Sequence, residues 1–196
     1  MGIIVLMSGG VDSLVCAELA RERGILAGLV FVDYGHPAQT AEAWRAFSYH
    51  GRSRVPLWVV HAFGLGLADM DAAAQAASDS PRVVLARNAL LIAAAANRAA
   101  VVGASEVWIG AQGGDDASYP DCRAGWIDGM SDAMHAACGV RVAAPLVAMT
   151  KLQIIAEARR LGIARDETWA CYRPSGMEPC GTCASCVAAT DAWVTP

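Results

Sequence analysis

The stretch Ile-Ile-Val-Leu-Met-Ser-Gly-Gly-Val-Asp-Ser, residues 3–13, decides the fold. An unbroken apolar run over residues 3–7 is typical of a strand that is buried on both faces. The two glycines after it predict a tight turn, and helical spacing over residues 11–23 predicts a helix that ends at Gly24. Because a helix N-terminus presents unpaired N–H groups, the segment predicts an anion-binding loop at the edge of an α/β sheet.

The rest of the chain repeats this alternation of strands and helices. Strands are predicted at residues 27–32, 56–60, 106–109 and 140–143. Helices are predicted at residues 39–50, 68–77, 86–102, 121–137 and 149–161, with a short helix at the C-terminus. Asp121 and Thr150 are the expected N-caps of the last two long helices. The pattern predicts an α/β fold with a doubly wound, mostly parallel five-stranded sheet.

Composition narrows the class of protein. Of the 196 residues, 55% are hydrophobic and 17% are charged, which excludes a disordered chain. The length suits a nucleotide-binding domain over residues 1–163 followed by a small segment over 164–196. A formal net charge of −4 argues against a broad nucleic-acid-binding surface. Arginines interrupt the apolar stretch 83–104, so a buried helix is expected there rather than a membrane span, and the N-terminus lacks a signal-peptide pattern, as in a cytoplasmic protein.

Four of the seven cysteines lie close together near the C-terminus, with the spacing Cys171-x₈-Cys180-x₂-Cys183-x₂-Cys186. Four thiolates in one short segment suit tetrahedral Zn²⁺, and a site saturated by thiolates predicts a structural metal. The alternatives are an iron–sulfur cluster, because Cys-x₂-Cys-x₂-Cys also occurs in ferredoxins, and buried or disulfide-bonded cysteines without metal. Disulfides are disfavoured in the cytoplasm.

The glycine loop carries chemistry as well as shape. An acidic residue beside an anion site, here Asp12, requires an accompanying cation, and Mg²⁺ bound to phosphates would supply it. The loop is neither a Walker loop nor a dinucleotide fingerprint, because the required Lys and glycine spacing are absent. The alternative is a plain strand-to-helix turn. Lys151, the only lysine, begins a predicted helix and is either a phosphate ligand or a solvated helix-end residue.

The string Ser-Gly-Gly-x-Asp-Ser over residues 8–13 resembles the pyrophosphate loop of ATP-pyrophosphatases, which adenylate a carbonyl or carboxyl oxygen. The resemblance implies an adenine nucleotide alpha hydrolase-like (HUP) fold that uses ATP with Mg²⁺. It implies that ATP is bound by Met7, Ser8, Gly9, Gly10, Val11, Asp12, Ser13, Leu14 and Lys151.

Further motifs make the resemblance more specific. The motifs Asp33-Tyr34-Gly35, Ala86-Arg87-Asn88, Tyr119-Pro120-Asp121-Cys122-Arg123 and Thr168-Trp169-x-Cys171-Tyr172, together with the cysteine cluster, resemble those of the 7-cyano-7-deazaguanine synthase family. The resemblance implies a ligase that converts 7-carboxy-7-deazaguanine, ammonia and ATP into a nitrile, with structural Zn²⁺ on the four cysteines, in a homodimer. The residues expected to bind the deazapurine are Arg87, Asn88, Asp115, Tyr119, Asp121 and Arg123.

The chain departs from the family pattern at several positions. His36-Pro37-Ala38 replaces the usual Gln and basic pair, the stretch 61–85 is short, and Asp116 stands where the family usually has Tyr. These departures leave open a specialised paralogue that activates a deazapurine carboxylate for another acceptor. Two further alternatives are a tRNA-thiolating ATP pyrophosphatase and a zinc-ribbon interaction module on a degenerate nucleotide fold.

Overall fold

A computed structural model describes residues 2–62, 86–114 and 119–195. Its strands are β1 Ile3–Leu6, β2 Leu26–Asp33, β3 Leu57–His61, β4 Glu106–Trp108 and β5 Arg141–Ala143. Its helices are α1 Val11–Glu22, α2 Gln39–Ser53, α3 Arg87–Val102, α4 Ala124–Cys138, α5 Lys151–Arg160 and α6 Ala184–Val194, with 3₁₀ turns at Pro120–Cys122 and Arg165–Glu167. The short helix predicted at residues 68–77 lies outside the described residues.

The strands form one five-stranded sheet in the order β3-β2-β1-β4-β5, and every pairing is parallel. The chain runs from β1 outward to β3 and then returns to the other side of β1 for β4 and β5. This confirms the predicted doubly wound α/β fold. The reversal between β1 and β4 is where such sheets bind ligands, at the carboxyl ends of the strands.

Both faces of the sheet are buried, which explains why β1 lacks polar alternation. Val5 packs on one face with Leu14 of α1 and Ile154 of α5. Its neighbour Ile4 packs on the other face with Ile92 of α3. Successive side chains of a strand point to opposite faces, so a strand covered on both sides needs apolar residues throughout.

The two predicted N-caps have different outcomes. Thr150 caps α5 in a capping box with Gln153, as predicted. The prediction that Asp121 caps the following helix is wrong. The 3₁₀ turn Pro120–Cys122 intervenes, and α4 has Arg123 as its N-cap with no side-chain cap hydrogen bond.

The C-terminal segment packs against the start of the chain. Trp169 and the cysteines form a small apolar cluster with Ala38 and Ala41 at the beginning of α2. The backbone N–H of Trp169 donates to the carbonyl of Gly9 at 2.9 Å. The division at residue 163 stays a prediction. Within the described ranges, every helix is too short or too polar to cross a bilayer.

Candidate active site

A cavity of about 450 Å³ opens at the carboxyl ends of β1, β2 and β4. The glycine loop forms one wall and the start of α3 another. The cavity is also lined by one face of α6 and by Thr168, Trp169, Ala170 and Tyr172. The N-terminal and C-terminal parts of the chain therefore meet there. This is the position at which the strand order predicts a ligand.

Glycine is required at two positions, one in the loop and one in the segment that packs against it. Gly9 has φ +76°, and a Cβ there would lie 2.6 Å from the carbonyl oxygen of Glu42. Gly110, which follows β4, approaches the loop so closely that a Cβ would lie 3.0 Å from both the Cβ of Asp12 and the N of Ser13. These glycines therefore allow α2 and the end of β4 to pack directly on the loop.

The hydroxyl of Ser13 holds the loop in shape. It donates to the carbonyl of Gly10 at 2.9 Å and accepts from the backbone N–H of Ser8 at 3.2 Å. The hydroxyls of Ser8 and Ser13 are 3.2 Å apart. With Gly10 as the N-cap of α1, the loop presents a helix N-terminus that is ordered before any anion arrives.

A lysine and an aspartate from opposite ends of the chain form an ion pair beside this loop. Lys151 Nζ lies 2.7 and 2.8 Å from the two carboxylate oxygens of Asp12. Lys151 is the first residue of α5, which packs on α1, and both side chains are partly exposed to the cavity. The pair places one positive and one negative charge at the edge of the glycine loop.

An arginine and two tyrosines form a second polar group in the cavity. Arg87, at the start of α3, is largely buried and lies beside Tyr34 and Tyr172. Burial lowers the pKa of Arg87, but Tyr34, Tyr172 and the Asp121 carboxylate raise it, and the net shift is upward. Burial raises the pKa of both Tyr34 and Tyr172. The group is therefore one cation flanked by two neutral hydroxyls.

Among the described residues, two carboxylates line the cavity, those of Asp12 and Glu42. Glu42 lies in the first turn of α2. Its Oε2 lies 3.0 Å from Nε2 of His36, at an angle that is poor for a linear hydrogen bond. The His36 ring stacks on Tyr34 with a centroid distance of 4.5 Å. The histidine that departs from the family pattern thus contacts two cavity residues.

The four clustered cysteines bring their Sγ atoms within 4.8 Å of one another. The Sγ atoms of Cys180 and Cys186 are 3.9 Å apart, close to the roughly 3.8 Å that Zn–S bonds of about 2.3 Å give in a tetrahedron. Backbone N–H groups of Thr182 and Cys183 lower the pKa of the Cys180 thiol to about 6. The positions of the four sulfur atoms are therefore compatible with a bound metal ion.

Comparison with known proteins identifies the family. Residues 2–195 match the family model described as "Queuosine biosynthesis protein QueC". The chain belongs to the QueC family. A 7-cyano-7-deazaguanine synthase of Allorhizobium ampelinum is 32% identical over 98% of this chain and 88% of its own length. Another, 7-cyano-7-deazaguanine synthase 1 of Sphingopyxis alaskensis, is 37% identical over 94% of this chain and 89% of its own length. The chain is therefore an enzyme of queuosine biosynthesis.

Solved structures support the fold of this QueC protein. The NMN synthetase from Francisella tularensis superposes with a TM-score of 0.54 at 14% identity, covering 98% of this chain and 83% of its own. The U34-tRNA thiolase NcsA from Methanococcus maripaludis, with its 4Fe-4S cluster, gives 0.60 at 13% identity, covering 97% of this chain and 64% of its own. At these identities the likeness shows the fold alone.

Most of the predicted ATP-binding residues of this QueC protein meet in one place. The cavity is lined by Met7, Ser8, Gly10, Val11, Asp12, Ser13 and Lys151. Gly9 and Leu14 are not among the lining residues. Gly9 packs against the backbone of α2 on the side of the loop away from the cavity, and Leu14 is buried in the hydrophobic core.

The residues predicted to bind the deazapurine divide into three groups. Arg87, Asn88 and Tyr119 line the cavity, whereas Asp121 and Arg123 are not among its lining residues. Asp115 lies outside the described residues. Asn88 is already engaged, because its Nδ2 donates to the Asp121 carbonyl at 3.2 Å and its backbone N–H donates to the Asp121 carboxylate at 3.1 Å. Their roles toward substrate stay predictions.

Sequence reasoning missed two kinds of cavity residue. Tyr34 and Tyr172 stand in motifs that mark the family, but nothing local indicates that they meet at Arg87. Glu42 and Gln112 have no local signal, because a single acidic or amide residue on a helix or after a strand is ordinary. The structure places all four in the cavity.

Proposed function

We propose that this protein uses ATP to convert 7-carboxy-7-deazaguanine and ammonia into 7-cyano-7-deazaguanine. One observation carries the proposal. A single cavity joins the anion-binding loop of residues 8–13 to the buried cation of Arg87, in a chain that belongs to the QueC family. A phosphate donor and a carboxylate acceptor can thereby be bound side by side.

The loop end of the cavity suits ATP. Backbone N–H groups at the start of α1 and the hydroxyls of Ser8 and Ser13 would bind the phosphates. Lys151 would neutralise their charge, and Asp12 would bind the Mg²⁺ that accompanies them. Their mutual ion pair keeps both side chains in place before ATP binds. The remaining predicted ATP residues, Met7, Gly9, Val11 and Leu14, shape this end.

The Arg87 end suits the acid. A guanidinium flanked by two neutral hydroxyls offers several donors to a carboxylate. Asn88 and Tyr119 line the same region and would contact the deazapurine. Asp115 is the candidate for reading its edge, since a carboxylate accepts from N1–H and the 2-amino group together. Asp121 and Arg123 are weaker candidates, because neither lines the cavity and the Asp121 carboxylate already accepts from Asn88.

The reaction needs two activations of one carbon. The carboxylate oxygen attacks the α-phosphorus of ATP, pyrophosphate leaves, and ammonia then displaces AMP to give an amide. The amide oxygen is activated by a second ATP, and loss of AMP leaves the nitrile. Because acid and amide differ by one small group, one cavity can position both, and positioning with charge neutralisation is the main contribution of the loop.

The cysteine cluster would hold structural Zn²⁺. The sulfur separations favour a single tetrahedral ion, because the body of an iron–sulfur cluster would stand between the thiolates and separate them further. Four thiolates saturate zinc and leave no open position for substrate. The implied homodimer and cytoplasmic location stay predictions.

The deciding experiment is mass spectrometry of the products formed from 7-carboxy-7-deazaguanine, ammonia and ATP·Mg²⁺. We expect the nitrile, with two AMP formed per nitrile. Gly110→Ala should reduce turnover at least about 100-fold, because the added methyl group displaces Asp12 and Ser13 from the phosphates. Gly125→Ala is the matched control, since a Cβ there meets no atom within 4 Å, and it should leave turnover unchanged.

Other products would contradict the proposal in distinguishable ways. Release of the amide as the final product, or attachment of the acid to another acceptor, would identify a specialised paralogue. Sulfur transfer to tRNA by a brown protein would identify a thiolase. Absence of any ATP turnover would indicate a binding module.

A further inference from the structure

The two carboxylates of the cavity have different surroundings. Asp12 is engaged by Lys151 at 2.7 and 2.8 Å. Among the described residues Glu42 forms no ion pair with a lysine or arginine, and its carboxylate lies 3.0 Å from His36. Asp12 is thereby occupied with a cation, whereas Glu42 presents a carboxylate to the cavity.

The His36 ring lies beside the Glu42 carboxylate and is restrained on two sides. The Nδ1 atom of His36 accepts from the backbone N–H of Ala38 at 3.3 Å, so the proton of the neutral ring resides on Nε2, which faces Glu42. Stacking on Tyr34 restrains the ring plane. His36 therefore directs Nε2 toward the Glu42 carboxylate from a restrained ring.

Glu42 is also fixed relative to the phosphate loop. The backbone carbonyl of Glu42 packs directly against Gly9, so closely that a side chain on residue 9 would collide with it. Its side chain shares the cavity with Tyr34 and Tyr172, and its negative charge raises the pKa of both, after the larger effect of burial. The Glu42 carboxylate thus lies between the loop and the Arg87 group.

The proposed reaction requires a proton acceptor at this place. Ammonia is mostly ammonium at neutral pH and has to lose a proton before its nitrogen can attack. After attack, the nitrogen has to lose another proton as the carbon–oxygen bond to AMP breaks. Tyr34 and Tyr172 stay protonated and Arg87 stays charged, so these three act as donors.

We propose that Glu42 binds the incoming ammonium ion and accepts its proton, and that His36 positions the Glu42 carboxylate. The inference rests on the proposed function. Glu42 takes a proton from ammonium and passes it to water, and the nitrogen lone pair forms the bond to the acyl carbon. Glu42 then takes the second proton from the attached nitrogen as the electron pair of the carbon–oxygen bond leaves with AMP. In nitrile formation the activated amide gives up its remaining N–H protons to the same carboxylate, which passes each proton to water.

The experiment separates acid activation from amide formation. Pyrophosphate–ATP exchange that depends on 7-carboxy-7-deazaguanine, without ammonia, measures activation alone. Glu42→Gln should keep this exchange within about threefold and should lower ammonia-dependent nitrile formation about 100-fold or more. Hydroxylamine is mostly unprotonated at neutral pH, so trapping of the acyl-adenylate as hydroxamate should fall much less in this variant.

Glu157→Gln is the matched control. Glu157 lies on α5 in an exposed ion pair with Arg160, which also binds Glu22, so both half-reactions should be unchanged. Two His36 variants test the positioning role. His36→Gln keeps an N–H donor and should retain nitrile formation within a few-fold, whereas His36→Leu lacks it and should lose about tenfold with exchange unaffected.

The outcomes distinguish the inference from the function on which it rests. Wild-type protein that gives no acid-dependent exchange contradicts the proposed function. Wild-type exchange together with nitrile formation at the normal rate in Glu42→Gln overturns the inference alone. Equal loss of exchange and nitrile formation in Glu42→Gln also overturns it, because that pattern indicates a structural role. If Glu42→Gln does not fold, equal behaviour of the two His36 variants overturns the positioning of the carboxylate.

Discussion

Asp121 serves a helix to which it is not adjacent in sequence. The N-cap position of α3 is Ala86, which has no side chain able to accept a hydrogen bond and has φ +57°. The Asp121 carboxylate takes over that task by accepting from the N–H of Asn88, and Asn88 returns a hydrogen bond to the Asp121 carbonyl. The pair thereby orients the first turn of α3, which carries Arg87.

This contact predicts how Asp121 variants behave. Asp121→Asn keeps an oxygen that can accept from Asn88, so stability and the KM for 7-carboxy-7-deazaguanine should change little. Asp121→Ala leaves the N–H without its acceptor and should lower the free energy of unfolding by about 1 kcal/mol. Denaturant unfolding and steady-state kinetics with each substrate varied check both. A large rise in the KM for the deazapurine in a stable Asp121→Asn would show that the carboxylate reads the base instead.

At the scale of elements, the C-terminal segment is the part of the fold that we expect a metal ion to stabilise. Residues 164–183 contain a 3₁₀ turn but no strand of the sheet and no α-helix, and their apolar contacts centre on Trp169 and the cysteines. Such a segment has little burial of its own to oppose its conformational entropy, so metal binding supplies stability.

Cys183→Ser should therefore lower the melting temperature by several degrees and release the metal. Cys138→Ser is the matched control, because Cys138 is an exposed free cysteine at the end of α4. It should keep both the metal and the melting temperature. Thermal unfolding with elemental analysis measures both properties, and a Cys183→Ser protein that melts normally without metal would rule out a structural role.

At the scale of the whole molecule, the sequence predicted single strands, helices and caps better than it predicted contacts between distant segments. The apolar run of β1, the glycines of the loop and the N-cap Thr150 are short-range signals, and each appears in the fold as predicted. The Arg87–tyrosine group and the position of Glu42 at the glycine loop arise from segments brought together by packing. No spacing within one segment encodes them, and the same holds for Asp121, whose partner lies on another helix.

The two ends of the chain are coupled where Trp169 meets Gly9. The N–H of Trp169 donates to the carbonyl of Gly9, and Arg45 of α2 lies over the Trp169 ring at 5.8 Å. A ligand on the loop and a metal in the cysteine cluster both restrict this junction. Two ligands that favour the same arrangement strengthen each other's binding, and the effect is reciprocal.

We therefore expect ATP·Mg²⁺ to slow the loss of metal from the cysteine cluster. Release of zinc to a zinc-selective chromogenic chelator should be about three- to tenfold slower with saturating ATP·Mg²⁺ than without nucleotide, in line with couplings of about 1 kcal/mol. GTP·Mg²⁺ at the same concentration is the control for nonspecific effects of nucleotide and magnesium. Gly110→Ala should lose the protection, because its loop is displaced, while Gly125→Ala should keep it. Equal release rates with and without ATP in a protein that binds ATP would show that the junction transmits no coupling.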